Sequence, residues 1–123
     1  FLTPIHSGFP SPADDYKEND LDLDELVIRN PAATFFVRVT GDSMKDACIE
    51  EGDILVVDRS LTANHNNIIV ALVSGEFSVK RLYHKGQSIY LVPANRLYKP
   101  LRITEQMEFQ VWGVVTYCIR KVR

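Results

Sequence analysis

No run of apolar residues in this chain approaches the roughly 20 needed to cross a bilayer as a helix, so no membrane span is expected. Cysteine is scarce. Only Cys48 and Cys118 occur, far apart and in unrelated contexts. No Cys/His spacing matches a zinc site, and the acidic stretch from Asp14 to Glu25 lacks the glycine and terminal glutamate of a calcium loop. The expectation is therefore no metal and no other cofactor. The opening residues Phe1 to His6 show neither a basic n-region nor an apolar h-region, so no secretory signal is read there. Reduced thiols in the cytoplasm are then a better expectation than a disulfide. Because the chain opens on Phe1 rather than Met, further residues upstream are expected. Internal repeats and low-complexity tracts are also missing.

What is present suits one globular domain. The 123 residues are 46% hydrophobic and 24% charged, enough to build a core without staples. A net charge of −2 hides a division: −9 up to Asp58 and +7 from Arg59 onward. A basic half can mean nucleic acid, but these charges are scattered among strands rather than gathered in a stripe with exposed aromatics. Direct DNA binding is not expected. A dipolar surface that aids self-association or partner docking is the better reading.

Three zones follow one another. Residues 1–17 carry Pro4, Pro10 and Pro12 with Ser7, Gly8 and Ser11, which predicts an extended arm. Asp20 to Ile28 predicts a short helix with acids in its first turn, ending before Pro31. From Thr34 the chain reads as β, with runs at Thr34–Thr40, Asp53–Asp58, Ile68–Val73, Phe77–Tyr83, Ser88–Pro93 and Phe109–Ile119. Ser74-Gly75-Glu76 marks a hairpin, and Ser43 to Ile49 has room for a helical turn or two. The division is thus an arm and acidic segment over 1–33 and a β-rich domain over 34–123. The predicted fold class is mainly β: a compact, twisted body of several short antiparallel strands with short helical turns.

Within that frame Gly41-Asp42-Ser43-Met44 is the segment where chemistry is most expected. A serine here is commonly a turn residue or a helix N-cap, and capping does not exclude catalysis. The backbone N–H groups of Ser43 and Met44 could also serve as an oxyanion hole. Lys80 is the one lysine within an apolar strand, where desolvation would lower its pKa and let it act as a base. The plainer alternative is a strand lysine that snorkels its head to water. Alternation puts Ser78, Lys80 and Leu82 on one face of that strand and Phe77, Val79, Arg81 and Tyr83 on the other. A Ser-His-Asp triad is the rival, but His6, His65 and His84 all read as leader, loop or strand-end residues.

These residues, together with Gly8-Phe9-Pro10-Ser11-Pro12-Ala13, Gly52-Asp53-Ile54-Leu55-Val56-Val57-Asp58, Gly75-Glu76-Phe77-Ser78-Val79-Lys80 and Pro93-Ala94-Asn95, resemble the UmuD branch of the LexA-like self-cleaving Ser-Lys peptidases. The resemblance runs from Gly8 to the C-terminus. It implies a LexA/signal-peptidase-like β-fold, Ser43 as nucleophile, Lys80 as general base 37 positions on, and cleavage of the Ser7–Gly8 bond. Relatives commonly carry Cys or Ala before the cut; Ser7 is as small, so cleavage is expected to survive. The resemblance further implies a homodimer, a Y-family, UmuC-like polymerase as partner, and acceleration by a RecA filament on single-stranded DNA. Ser7 and Ser43 lie 36 positions apart. An extended chain at about 3.3 Å per residue spans ~100 Å over that length, so reach permits cleavage within or between protomers.

Two other readings share the dyad. The C-terminal dimerisation domain of a LexA-type transcriptional repressor would be preceded by a helix-turn-helix, and the Gly8–Pro12 block leans away from it. A signal peptidase acting on other proteins would need a membrane anchor.

Overall fold

The β-branched and aromatic runs do become strands, and in a computed structural model that describes residues 22–123 they join one antiparallel sheet. The strands are β1 (Thr34–Arg38), β2 (Ile54–Asp58), β3 (Ile68–Val73), β4 (Glu76–Lys85), β5 (Ser88–Val92), β6 (Leu101–Arg102) and β7 (Phe109–Ile119). Their order across the sheet is β1-β2-β7-β3-β4-β5-β6. The long β7 crosses back to lie between β2 and β3, so the first and last thirds of the described chain are stitched together there. Register shifts at Val56/Val57 and Val70/Ala71 mark bulges, which bend the sheet where it must close over a core.

Burial explains the sequence pattern. β2 and β3 are near-continuous apolar runs because they are covered on both faces. Leu55, Val57 and Val70 pack with Val39, Met44 and Ile49; Ile69 and Ala71 pack with Leu82, Leu91 and Val114. Successive residues of β3 thus feed two separate cores. The β3–β4 hairpin turns at Ser74 and Gly75, with φ of 48° and 86°. Positive φ at both central residues gives a turn whose twist matches that of the strands it joins. Beside β2, Gly113 has no room for a side chain: an added Cβ would lie 2.5 Å from Val57 Cγ1.

Several boundaries differ from the sequence expectation. The helix α1 covers Leu23–Val27, shorter than Asp20–Ile28, because Asp22 caps it by accepting from the Asp24 N–H at 3.0 Å. β1 stops at Arg38 instead of Thr40, yet Val39 still exchanges backbone hydrogen bonds with Asp53 and Gly52 at 2.8 and 2.9 Å. The two-residue β6 carries no periodic signal and was not expected. The segment before β1 lies against the body: Val27 is buried, and Asn30 donates to Asp58 at 2.9 Å. Residues 1–21, including Ser7 and Gly8, lie outside the described structure.

Cys118 is exposed and not a core residue. Its thiol donates to Asp53, and burial together with that carboxylate pushes its pKa up, away from reactivity. Asp53 is itself buried and accepts from Arg120 Nε and Nη2 at 2.8 and 2.7 Å and from the Glu50 N–H at 2.8 Å. The Arg120 bonds hold its carboxyl far below the ordinary 3.8. Its stabilising contribution is therefore complete above that value and is lost as pH falls through the lower folded pKa. Arg120→Ala should cost about 1.5–3 kcal/mol in denaturant unfolding at neutral pH. It should also flatten the loss of stability below pH 3.8, because an Asp53 without Arg120 has little depressed pKa left to lose. An unchanged acid limb would show that Asp53 does not depend on Arg120.

Candidate active site

Lys80 stands near the middle of β4, opposite the fully buried Ile69 of β3, so its stem is fixed by the hairpin register. Ser43 comes from the other direction, on the turn between β1 and the 3₁₀ turn Lys45–Ala47. Gly41 allows that turn with φ of 81°, a left-handed conformation that favours glycine. The two side chains meet: Lys80 Nζ lies 3.1 Å from Ser43 Oγ. Both are half-buried.

The amine has two more partners, Ser78 Oγ on its own strand face and the Val79 carbonyl at 3.1 Å. An ammonium has three donors and no acceptor, so three oxygens saturate it. A neutral amine has two donors and a lone pair, and the lone pair needs a hydroxyl donor. The Val79 carbonyl cannot supply one. With Ser78 and Val79 accepting, the lone pair is left for the Ser43 O–H, which is the arrangement a general base requires. Burial lowers the Lys80 pKa below the ordinary lysine value of 10.5.

A cavity of about 240 Å³ opens beside the pair, walled by Val37, Val39, Val70 and Phe77. Beyond the ridge formed by Phe77, Ser78 and Lys80, a second hollow of about 590 Å³ runs toward Leu91, Lys99 and Leu101. An extended peptide laid across the ridge would present its backbone to Ser43, with a small apolar-walled space on one side. Phe77 also meets Trp112 edge-on at 5.8 Å, and Trp112 contacts Phe35 at 5.2 Å and lies under the Arg59 guanidinium at 4.4 Å. That stack ties the rim of the site to β1 and β7.

The remaining residues singled out from the sequence fall elsewhere. His65 accepts the His84 N–H at 2.9 Å and sits beside Tyr83; neither histidine has a contact with Ser43 or Lys80 among the described residues. The backbone N–H groups of Ser43 and Met44 make no hydrogen bond among the described residues. Two participants were not foreseen. Ser78 was noted only as a neighbour on the strand face, although hydroxyl and lysine two apart on one strand is a readable signal. The loop after β5 also reaches the site, through Asn95 and Tyr98, and no periodicity announces that contact.

Fold and site together set a hydroxyl against a partly desolvated amine on a β-built body. The chain belongs to the Peptidase S24-like family, whose model matches residues 1–116. It is 49% identical over 123 residues to Protein SamA of Salmonella typhimurium, covering the whole chain and 85% of that relative. It is 46% identical over 120 residues to Protein MucA of Escherichia coli, covering 97% of the chain and 82% of the relative. The LexA repressor of Acidithiobacillus ferrooxidans is less similar, 36% over 119 residues, covering 94% of the chain and 58% of the repressor. The chain is thus an UmuD-like member of a family of self-cleaving serine peptidases, on the mutagenesis-subunit side and not the repressor side.

Ser78 supplies a test of the amine's setting. A hydroxyl that accepts from the ammonium favours the charged form, so its loss should lower the Lys80 pKa further. Ser78→Ala should reduce the plateau of any self-cleavage about tenfold, an effect of the size expected when a general base loses its alignment. The midpoint of the pH–rate curve should move to lower pH. A wild-type curve in Ser78→Ala would remove Ser78 from the site.

Proposed function

We propose that this chain is an UmuD-like subunit of SOS mutagenesis that activates itself by cutting the bond between Ser7 and Gly8. In this reading neutral Lys80 takes the proton from Ser43 Oγ, and Oγ attacks the Ser7 carbonyl carbon. The Ser43 and Met44 N–H groups stabilise the resulting oxyanion. Collapse breaks the Ser7–Gly8 bond, with Lys80 returning its proton to the Gly8 nitrogen, and water then hydrolyses the Ser43 ester. The observation that supports the reading most is the 3.1 Å contact between Lys80 Nζ and Ser43 Oγ at a half-buried position.

The proposed biological setting follows from the relatives. The cleaved form beginning at Gly8 would act as a homodimer in the cytoplasm with an UmuC-like Y-family polymerase. A RecA filament on single-stranded DNA would accelerate cleavage by shifting the population toward the docked arm. No helix among the described residues is long and apolar enough to cross a membrane.

The decisive experiment is incubation of the purified chain over a range of pH, with products identified by mass. Cleavage at Ser7–Gly8 should quicken as Lys80 loses its proton, with a midpoint below 10.5, the ordinary lysine value, because burial disfavours the charged form. Ser43→Ala and Lys80→Ala should each stop it. Undiminished cleavage in Ser43→Ala would end this reading.

A further inference from the structure

The Ser43 turn is held from behind by a loop that reaches across from β5. Asn95, 4% exposed, donates from Nδ2 to the Asp42 carbonyl at 2.9 Å, while its Oδ1 accepts the Leu97 N–H at 3.0 Å. The Asp42 carbonyl also accepts from the Lys45 N–H at 3.2 Å, so both of its lone pairs are engaged. Tyr98 donates its hydroxyl to the Asp42 carboxylate at 2.6 Å. Four positions after Asp42, the Asp46 N–H donates to the Ala94 carbonyl at 2.7 Å. Three residues of one loop, Ala94, Asn95 and Tyr98, therefore grip the turn.

Geometry gives this grip a chemical meaning. The Asp42 carbonyl and the Ser43 N–H belong to one peptide unit, which is planar and trans, so they point in opposite directions. Fixing the carbonyl toward Asn95 fixes the Ser43 N–H away from Asn95, and that N–H has no partner among the described residues. We infer that Asn95 is a positioning residue that orients the Asp42–Ser43 peptide so that the Ser43 amide donates to the oxyanion, with Tyr98 as a second anchor through the Asp42 side chain. The inference rests on the proposed role of Ser43 and deepens it. Asn95 touches no reacting atom; it acts through the peptide plane.

The variant Asn95→Asp keeps the shape and the acceptor for Leu97 but removes the donor to Asp42. In the intact chain, its first-order self-cleavage should fall about 10- to 100-fold, part of the 10²–10³ lost when an oxyanion donor is removed outright. Because the new carboxylate can raise the Lys80 pKa, the two rates are compared on the high-pH plateau. A peptide of residues 1–6 followed by boroalanine supplies the second readout. Ser43 Oγ bonds to its boron, the serine proton passes to Lys80, and a boronate oxygen occupies the oxyanion position. Asn95→Asp should weaken this ligand by the same factor while leaving the matching alaninamide peptide unaffected. In the wild-type chain the Ser43 amide proton should shift downfield when the boronate binds. That last measurement holds even if Asn95→Asp does not fold. Normal cleavage in Asn95→Asp, equal weakening of both peptides, or an unmoved Ser43 amide would overturn the inference. Cleavage surviving in Ser43→Ala would instead overturn the proposed nucleophile, a separate failure.

Discussion

The contact between Lys80 and Ser43 constrains more of this structure than its single hydrogen bond suggests. A lysine amine cannot be brought to a hydroxyl in a desolvated place unless its stem is fixed, because a long flexible side chain gains more by returning to water. The stem is fixed by β-sheet register. Lys80 faces Ile69 across the β3–β4 ladder, and the turn at Ser74-Gly75 sets that pairing. A slip of one residue would send Lys80 to the opposite face and put Val79 or Arg81 in its place. An arginine there would carry a charge that burial of this degree cannot remove. The hairpin is therefore the part of the fold whose sequence is least free to vary.

The two halves of the site differ in stiffness, and the remaining contacts follow from that. Lys80 rides on a long strand, paired with β3 at its own position and with β5 from the next residue on. Ser43 rides on a turn whose own secondary structure is one short 3₁₀ segment. Such a turn needs outside support to hold the Ser43 side chain in place. The support comes from the Ala94–Tyr98 loop, from Met44 buried in the core below, and from the Gly41 N–H bonded to Glu51. Met44 is only 2% exposed. It anchors the backbone immediately after Ser43 as a core residue would, and so converts hydrophobic burial into placement of the serine.

How much of this the sequence revealed depends on the range of the signal. Strands, the Ser74-Gly75 hairpin and the shared face of Ser78 and Lys80 are local, set by β-branched residues, glycine and a period of two. They were readable. The shortened helix was also locally encoded, since Asp22 competes with Asp20 for the cap, but the two acids look equivalent without the structure. The central place of β7, the short β6 and the reach of Asn95 to Asp42 depend on which distant elements meet. Asn95 and Asp42 are 53 positions apart, and nothing in either neighbourhood encodes their contact. Cys118 shows the same limit. Its strand context is apolar, but the strand runs past the core and the thiol finds Asp53, 65 positions away, instead.

Half-burial of the amine fits a centre proposed to act once. A deeply buried lysine would be neutral at all working pH values and always ready to take a proton, which suits turnover. A surface lysine would be charged almost throughout and useless as a base. At a half-buried site burial lowers the pKa of the amine, and any further loss of water lowers it more. The three oxygens around Nζ oppose that shift, because they saturate the ammonium and steady the charged form. Docking of a peptide over the ridge would exclude water from the same amine, strip solvation from its charge and raise the neutral fraction. Under the proposed mechanism, binding of the substrate segment and activation of the base would then be coupled through desolvation.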